Sequence, residues 1–499
     1  MLSLDPIIAF IVIVLCFLAI KSFHVPKDGL NAFPPGPKAL PLIGNIHMLN
    51  LKRLQDSFMK LSKKYGSVFS IQIGTQKMVV LCGYKAVKDA LVNHAQEFGE
   101  RPAIPIFKLY HRGHGVLFSH GDNWKTMRRF TLSTLRDFGM GKTSLENKIH
   151  EECDALIKTF KSFEGKPFNN AMIMNCAVAN IIVSIILGRR YDFEDPTFKR
   201  LMSLLMESAK LLGSPMVMLY NTYPKLMKWI PGDHKTLLKN AAEFQGFLKS
   251  NFTNRVDQLD RNDPRNLIDV FLIRQQEEKP YPGYYFHNHN LTILLSNLFA
   301  AGTETLSSTL RWGLLLMMKY PEIQKTVQKE INKVIGFSWP QISHRKELPY
   351  TDAVIHEIQR FANIVPNNLP HETTTNVTFW GYNIPKGTYI IPSLTTVLRD
   401  KTYFERPDEF YPEHFLNADG QFRRTEAFIP FSAGKRSCAG ENLAKMELFL
   451  FFTRLLQNFT FQAPPGAILD LTPAIGITTP PQNHMICAIP RTWTDSATQ

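Results

Sequence analysis

Paired cysteines are missing from this sequence. Its 499 residues contain only six cysteines, and no two of them stand in a C-x-x-C spacing. Because common zinc and iron–sulfur sites are built from such pairs, the sequence argues against both kinds of site. Scattered single cysteines are also typical of proteins that fold in a reducing compartment. The cysteines are Cys16, Cys82, Cys153, Cys176, Cys438 and Cys487.

The sequence also lacks internal boundaries. After residue 41 there is no linker, repeat or low-complexity run at which the chain could be divided. Length alone suggests about three domains of ~150 residues. With 44% hydrophobic and 20% charged residues, the composition is that of a globular protein. We therefore predict one large catalytic unit over residues 42–499.

Acidic residues are too few to balance the basic ones. Lys and Arg total 57 against 43 Asp and Glu, which gives a net charge of +14. A basic balance fits nucleic acid, an anionic membrane surface or an acidic protein partner. The positive residues are dispersed and form no recognisable nucleic-acid-binding module. We therefore predict membrane lipid and an acidic protein as partners, and no nucleic acid.

One long apolar run stands at the N-terminus. Every residue from Pro6 to Ile20 is apolar or cysteine, which approaches the ~20 residues that span a bilayer. Asp5 precedes the run and Lys21 follows it, a charge pattern that favours an uncleaved anchor over a signal peptide and a cytosolic catalytic unit. The predicted division is a transmembrane anchor helix over 1–22, a stiff proline-rich hinge over 23–41, and the catalytic unit.

Short β-segments and loops interrupt a mainly helical pattern. Alternating β-branched residues predict a hairpin between Tyr65 and Leu81, and a second hairpin is predicted from Phe379 to Ile391. The segment from Phe98 to Phe118 is rich in glycine, proline and histidine and is predicted to be a loop. Its two histidines, His111 and His114, have no carboxylate support for a metal site.

A ten-residue loop around one cysteine precedes a predicted helix from Glu441 to Asn458. The loop reads Phe431-Ser432-Ala433-Gly434-Lys435-Arg436-Ser437-Cys438-Ala439-Gly440. Its glycines would let the backbone come close to a flat, bulky group. The amide groups and positive dipole at the start of the following helix would stabilise a thiolate. Taken alone, Cys438 could equally be a buried thiol in a tight turn.

The loop resembles the haem-binding signature of the cytochrome P450 superfamily. The pattern Phe-x-x-Gly-x-Arg-x-Cys-x-Gly is matched at every fixed position. The resemblance implies that Cys438 is the proximal thiolate ligand of haem b iron. It also implies cofactor contacts from Phe431, Gly434, Arg436 and Gly440. The implied fold is mainly α-helical with small β-sheets, carried behind the N-terminal anchor.

A tryptophan and an arginine four residues apart are similar to a second family motif. Trp124 and Arg128 fall on one helical face. Both side chains are pure hydrogen-bond donors, which suits a carboxylate. The resemblance implies that they bind a haem propionate, and that Arg101 and His371 do the same from matching positions.

A third motif lies inside a long helix that we predict to begin at an Asn290 cap and to end at Tyr320. It reads Ala300-Ala301-Gly302-Thr303-Glu304-Thr305 and resembles the family's oxygen-activation segment. Gly302 would permit close approach or local opening of the helix over a ligand. The resemblance implies that Thr305 and Glu304 are catalytic and relay protons. Asn297, Ala301 and Thr305 share one face at four-residue spacing, so they should face the distal side of the haem.

A fourth motif, Glu357-Ile358-Gln359-Arg360, matches the family's Glu-x-x-Arg pair. We predict a structural role for Glu357 and Arg360 rather than a chemical one. The arginine that usually joins this pair is replaced here by the histidine of Pro412-Glu413-His414-Phe415, a variant that resembles the vertebrate drug- and fatty-acid-oxidising branch.

The resemblance implies a monooxygenase of the endoplasmic reticulum membrane. It would insert one oxygen atom from O2 into a lipophilic substrate, with NADPH electrons delivered by a flavoprotein reductase or a small haem electron carrier. The residues implied to contact substrate are Leu117, Phe118, Leu204, Leu205, Asn297, Ala301, Val365, Asn368, Leu369 and Ile477. Those implied to dock the reductase are Lys125, Arg129, Arg136, Lys142 and Lys435.

Two amides in the implied substrate loop are unexpected in an apolar pocket. We predict that Asn368 orients an oxygenated group of the substrate, and that Asn367 bonds the backbone of its own loop. Two other functions stay open from the sequence. One is a haem-thiolate peroxide isomerase that needs no reductase, and the other is a non-catalytic haem-binding protein.

Overall fold

The structure is a computed structural model that describes residues 32–138, 143–253, 259–278 and 284–491. The predicted anchor, the first part of the hinge and Lys142 lie outside these residues. None of the helices in the described ranges is both long and apolar enough to cross a membrane.

Helices are the main secondary structure of the described residues. In order they are α1 Leu54–Tyr65, α2 Tyr84–Lys88, α3 Pro105–Tyr110, α4 Gly121–Asp137, α5 Thr143–Lys161, α6 Ala171–Leu187, α7 Pro196–Leu212, α8 Pro215–Thr222, α9 Pro224–Met227, α10 Asp233–Thr253, α11 Leu267–Glu277, α12 Asn288–Lys319, α13 Pro321–Val334, α14 Pro349–Ala362, α15 Leu394–Leu398 and α16 Glu441–Asn458. A π-helical turn, Asp89–Asn93, follows α2, and short 3-10 helices span Ile46–Met48, Ile342–Glu347 and Pro412–Phe415.

In the described part of the chain, eight short strands make three small sheets. The strands are β1 Val68–Ile73, β2 Gln76–Leu81, β3 His371–Glu372, β4 Val377–Phe379, β5 Tyr382–Ile384, β6 Tyr389–Pro392, β7 Phe459–Gln462 and β8 Cys487–Pro490. The largest sheet has the order β1-β2-β6-β3, and the other two are the pairs β4-β5 and β7-β8. The prediction of a mainly α-helical fold with small sheets is confirmed.

Helix α12 is the axis of the main core. Its 32 residues extend over about 48 Å at ~1.5 Å per residue. It packs against α6, where Gly302 leaves room for Ile182: a Cβ on Gly302 would lie 2.6 Å from Ile182 Cδ1. Gly302 therefore permits close helix packing, which is a different role from the predicted opening over a ligand. On another side, Gly313 lies against Phe452 of α16.

Two boundaries differ from the sequence prediction. The segment predicted as a loop, Phe98 to Phe118, contains α3, which begins at Pro105 and buries Ile106 and Phe107. A proline at the first helical position is favourable because no partner is needed for its missing N–H. The long helix begins at Asn288 with His287 as its cap, since His287 Nδ1 accepts a hydrogen bond from the Asn290 amide.

The predicted first hairpin is confirmed by the antiparallel pair of β1 and β2. The second hairpin is shorter than predicted, because only β4 and β5 pair across the Trp380–Gly381 turn. Both turn residues have positive φ, as a tight hairpin turn requires. Strand β6 instead pairs in parallel with β2, so that Val80 lies opposite Ile391.

Candidate active site

Backbone packing fixes the cysteine loop. The Cys438 amide donates to the Phe431 carbonyl at 3.0 Å, which closes the loop just before α16. Gly434 has φ +73°, and a Cβ there would lie 1.8 Å from the Leu91 carbonyl oxygen of the π-helical turn. This glycine is therefore required by the neighbouring backbone, where the sequence had suggested room for a cofactor.

Cys438 is accessible to solvent, but many protein atoms lie around its thiol and disfavour the charged thiolate. Burial raises the pKa of the thiol, while a hydrogen bond from the Gly440 amide and the Arg128 charge act to lower it. The predicted stabilisation by the helix start is thus present, but burial is the larger effect in the protein alone. All five cysteines of the described residues are free thiols, and the other four are buried.

Four of the predicted cofactor-binding side chains form a cluster beside this loop. The guanidinium of Arg436 stacks over the Trp124 ring at 3.8 Å, and that of Arg128 lies 5.9 Å from the same ring. Arg101 is buried, and its Nη1 donates to the carbonyl oxygens of Leu369 at 2.7 Å and Pro370 at 2.9 Å. One carboxylate, Glu100, enters the cluster and bonds Arg436 Nη2 at 2.6 Å.

Charge is unbalanced in this cluster, because three guanidinium groups face the single carboxylate of Glu100. Burial and the Arg436 charge lower the pKa of Arg101 to about 9, and burial lowers the pKa of Arg436 to about 10. Burial raises the pKa of Glu100, but hydrogen bonds from His120 and the Arg101 amide, with the Arg436 charge, outweigh it and hold the pKa at about 2. The excess of two positive charges suits a ligand with two carboxylates.

Several donors in the cluster have no partner among the described residues. They are buried Arg101 Nε, Trp124 Nε1 and Arg436 Nη1. Since an unpaired buried donor costs free energy, such groups mark a place where an acceptor belongs. Haem b carries two propionate carboxylates, so the donor set and the charge both fit it.

His371 is buried at the edge of the same cluster. Its Nδ1 lies 2.7 Å from the Phe98 carbonyl oxygen, so the proton of the neutral ring is on Nδ1. Burial and the Arg101 charge hold its pKa well below the usual range. Nε2 is buried, and no described residue is its partner. Donation from Nε2 to a propionate, as predicted, would require the charged imidazolium that a nearby carboxylate favours.

Helix α12 carries the oxygen-activation motif. Ala301 is exposed although most of this helix is buried, and the Thr305 hydroxyl donates to the Ala301 carbonyl at 2.7 Å. Glu304 lies on another side, where its Oε1 accepts from Ser308 Oγ at 3.2 Å and Thr478 Oγ1 at 3.3 Å. Burial raises its pKa. The sequence analysis predicted neither hydroxyl as a partner of Glu304. Thr478 is distant in the chain, and Ser308 lies just outside the motif.

The predicted substrate contacts separate into two groups. Leu117, Phe118, Leu369 and Ile477 belong to one apolar cluster with α3 and α8. Leu204 is 1% exposed and packs in the main core, with Leu205 against it, so Leu204 presents no surface to a ligand in this arrangement. Val365 is half-buried. Their contacts with substrate stay predictions.

Asn297 holds a loop in place. Its Oδ1 accepts from the amides of Val116 at 3.0 Å and Leu117 at 3.2 Å, and its Nδ2 lies 3.2 Å from His111 Nε2. Two turns earlier, Asn290 Oδ1 accepts from the Gly115 amide. Both amides therefore tie the segment before α4 to α12, and the predicted substrate contact of Asn297 would compete with these bonds.

Glu357 and Arg360 form a buried bidentate pair with two 2.7 Å hydrogen bonds. Arg360 also donates to the carbonyl oxygens of Leu398, Pro407 and Glu409. The His414 ring lies 3.2 Å from Glu357 Oε2, in the position where the motif comparison expected an arginine. This network joins α14 to the segment that leads toward the cysteine loop.

The predicted reductase-docking residues that the structure describes are all exposed. Lys125, Arg129 and Arg136 lie on α4, and Lys435 lies in the cysteine loop. Lys125 pairs with Asp122 at 2.9 Å. Helix α4 also carries Trp124 and Arg128. Three of the basic residues therefore lie on the same helix as two members of the cofactor cluster.

Together, the cysteine loop, the cluster of donors that suits two carboxylates and the threonine-bearing motif of α12 are the features expected of a haem-thiolate site. Residues 34–488 match the family model described as Cytochrome P450. The chain belongs to the cytochrome P450 family.

Curated relatives extend over nearly the whole chain. It is 48% identical over 485 residues to cytochrome P450 2K1 of Oncorhynchus mykiss, covering 96% of both sequences. It is 45% identical over 490 residues to cytochrome P450 2C5 of Oryctolagus cuniculus, covering 98% of this chain and 100% of the relative. Cytochrome P450 2C39 of Mus musculus is 43% identical over 489 residues, with 97% and 100% covered. The protein is a monooxygenase that uses haem b, O2 and NADPH electrons received through a reductase.

Proposed function

We propose that this protein oxidises lipophilic substrates such as fatty acids, steroids or xenobiotics at the endoplasmic reticulum membrane. Its electrons would come from a membrane-bound flavoprotein reductase, or in part from a small haem electron carrier. The apolar run from Pro6 to Ile20 supports membrane attachment. The observation that carries the proposal is the apolar cluster of Leu117, Phe118, Leu369 and Ile477, whose Leu369 carbonyl is held by Arg101 of the cofactor cluster.

The chain's own residues have separate tasks in this proposal. Haem b bound through Cys438 supplies the O–O cleavage chemistry of an iron–thiolate centre. Arg101, Arg436 and Trp124 hold its carboxylates, and the apolar cluster excludes water and positions the hydrocarbon. The Thr305 hydroxyl passes a proton toward the reacting oxygen. Glu304 needs a change of side-chain position or a water to join this path, since Ser308 and Thr478 hold its carboxyl.

A reconstituted assay tests the proposal. The full chain would be placed in vesicles with the NADPH-dependent reductase and given a panel of lipids and drugs, and products would be identified by mass spectrometry. We expect oxygenated products only when NADPH, O2 and reductase are all present. Rearrangement of an added lipid peroxide without reductase would favour a peroxide isomerase, and no product under any condition would favour a haem-binding protein without catalysis.

A further inference from the structure

A cavity of about 230 Å³ lies beside the apolar cluster. It is bounded by the start of α1, the connection between α7 and α8, the loop before β3 and the loop before β8. Ile477 lines this cavity and also belongs to the apolar cluster. Neither Cys438 nor Ala301 lines it. The cavity therefore does not include the predicted haem ligand or the exposed residue of the α12 motif.

Several polar side chains of the cavity wall already have partners, and the wall also carries Lys52, Arg53 and Gln55 around the start of α1. Ser214 Oγ accepts from the Val217 amide, and Asn221 Oδ1 accepts from the Ile106 amide. Thr479 Oγ1 donates to the Asn363 carbonyl. These groups hold α8, α3 and the loop before β8 in place, and they have little capacity left for a ligand.

The two adjacent amides of the wall differ from each other. Asn368 is satisfied by the protein: its Nδ2 donates to Ser432 Oγ at 2.8 Å, and its Oδ1 accepts from the Leu369 amide at 2.8 Å. Asn367 Oδ1 is buried and has no partner among the described residues. The structure thus reverses the sequence expectation, in which Asn367 was bonded by its loop and Asn368 faced the substrate.

The loop that carries Asn367 is fixed. Thr395 donates to the Pro366 carbonyl from its amide at 3.0 Å and from its hydroxyl at 3.2 Å. Proline also restricts the backbone at this position. Since Asn367 lines the cavity and its Oδ1 is buried without a partner among the described residues, a donor supplied from the cavity would satisfy it.

We propose that the cavity is a subsite for hydroxyl-bearing lipophilic molecules, whose O–H donates to Asn367 Oδ1 while the hydrocarbon extends past Ile477 toward the apolar cluster. The proposal rests on the proposed function, because it names a feature of the substrate class of that site. A hydroxyl fits because it is a neutral donor: a carboxylate cannot donate to Asn367 Oδ1, and an ammonium group would meet Lys52 and Arg53, which line the same wall. A molecule without a donor would leave Asn367 unpaired.

The test compares a long straight-chain primary alcohol with its methyl ether in the full-length, haem-loaded protein. The ether has nearly the same size and retains the oxygen, but it cannot donate. We expect the wild type to bind the alcohol about tenfold more tightly, a ratio that corresponds to about 1.4 kcal/mol. Binding is read from the substrate-induced shift of the haem absorption band, and kcat/KM is measured for both probes in parallel. In Asn367→Leu the ratio of the two dissociation constants should fall to about one.

Asn368→Gly is the matched control. Its φ is +55°, a value that glycine adopts without strain, so the variant removes the neighbouring amide and keeps the backbone. It should keep the alcohol-to-ether ratio even if both probes bind more weakly. A wild type that binds the two probes equally, or an Asn367→Leu variant that keeps the ratio, overturns the subsite. Binding with the expected ratio but no oxidation of either probe or of any other lipophile would instead count against the proposed function.

Discussion

Cys438 lies in a loop whose shape comes from backbone contacts, so its side chain can be changed without disturbing them. The Cys438 amide bonds Phe431, and Gly434 packs on Leu91. Cys438→His should therefore still fold and bind some haem. We expect the red-shifted absorption band of the ferrous carbon-monoxide complex to be lost, because that band requires a thiolate ligand.

The control for this variant is Cys487→Ala, which removes a buried thiol on β8, outside the loop. It should keep the red-shifted band. If Cys438→His keeps the band as well, another group ligates the iron.

Thr305 has a hydroxyl on the exposed face of α12, bonded only locally to the Ala301 carbonyl. Thr305→Ala should uncouple the reaction: NADPH consumption continues, product falls and hydrogen peroxide rises, because proton delivery is impaired while electron delivery is intact. The ratio of product to NADPH consumed, with peroxide measured in the same assay, checks this.

Thr309→Ala provides a matched comparison one turn further along. The Thr309 hydroxyl makes the same kind of bond, to the Thr305 carbonyl at 2.8 Å, but its side chain is buried. Its coupling should resemble that of the wild type. Equal coupling in the two variants would remove the special role of Thr305.

At the scale of elements, the Glu357–Arg360 pair joins α14 to three carbonyl groups of the segments that follow β6. Glu357→Gln should leave the Arg360 charge buried without its counter-ion, and we expect a loss of about 3–5 kcal/mol in unfolding free energy. Chemical denaturation of the haem-loaded protein, followed by far-UV circular dichroism, measures the loss.

An exposed pair serves as the comparison for that prediction. Arg200 and Glu243 are also bidentate, with two 2.8 Å hydrogen bonds, but they lie at the surface. Glu243→Gln should change stability little, because solvent screens exposed pairs. Similar losses in both variants would mean that burial does not determine the importance of the Glu357–Arg360 pair.

At the scale of the whole molecule, part of the excess positive charge lies on the surface formed by α4 and the cysteine loop. Arg129 and Lys435 are exposed there. The double reversal Arg129→Glu with Lys435→Glu should slow reductase-supported turnover at low salt and reduce its salt dependence, since exposed charges act over a Debye length of ~8–10 Å. Turnover against ionic strength, at limiting reductase, is the measurement.

Lys333→Glu, at an exposed position of α13, is a control for charge alone. It should leave the salt dependence unchanged. A double-reversal variant that turns over like the wild type at low salt would contradict docking on α4 and the cysteine loop.

The sequence by itself determined the family and several local elements, and it singled out Cys438 as the predicted haem ligand. Helix α16 spans Glu441–Asn458 as predicted, and the first hairpin is where its β-branched alternation placed it. These features depend on residues close together in the chain, so spacing and local propensity are enough to reveal them.

Contacts between distant segments were decided only by the tertiary structure. Gly302 faces Ile182, Glu304 is held by Thr478, and Asn367 rather than Asn368 has the free acceptor. Each case depends on which distant group lies in contact. A hydrogen bond forms only when its two heavy atoms lie within about 3 Å of each other, and side chains pack only when they touch. Because these partners are distant in the chain, the local sequence does not identify them, and only the folded structure does.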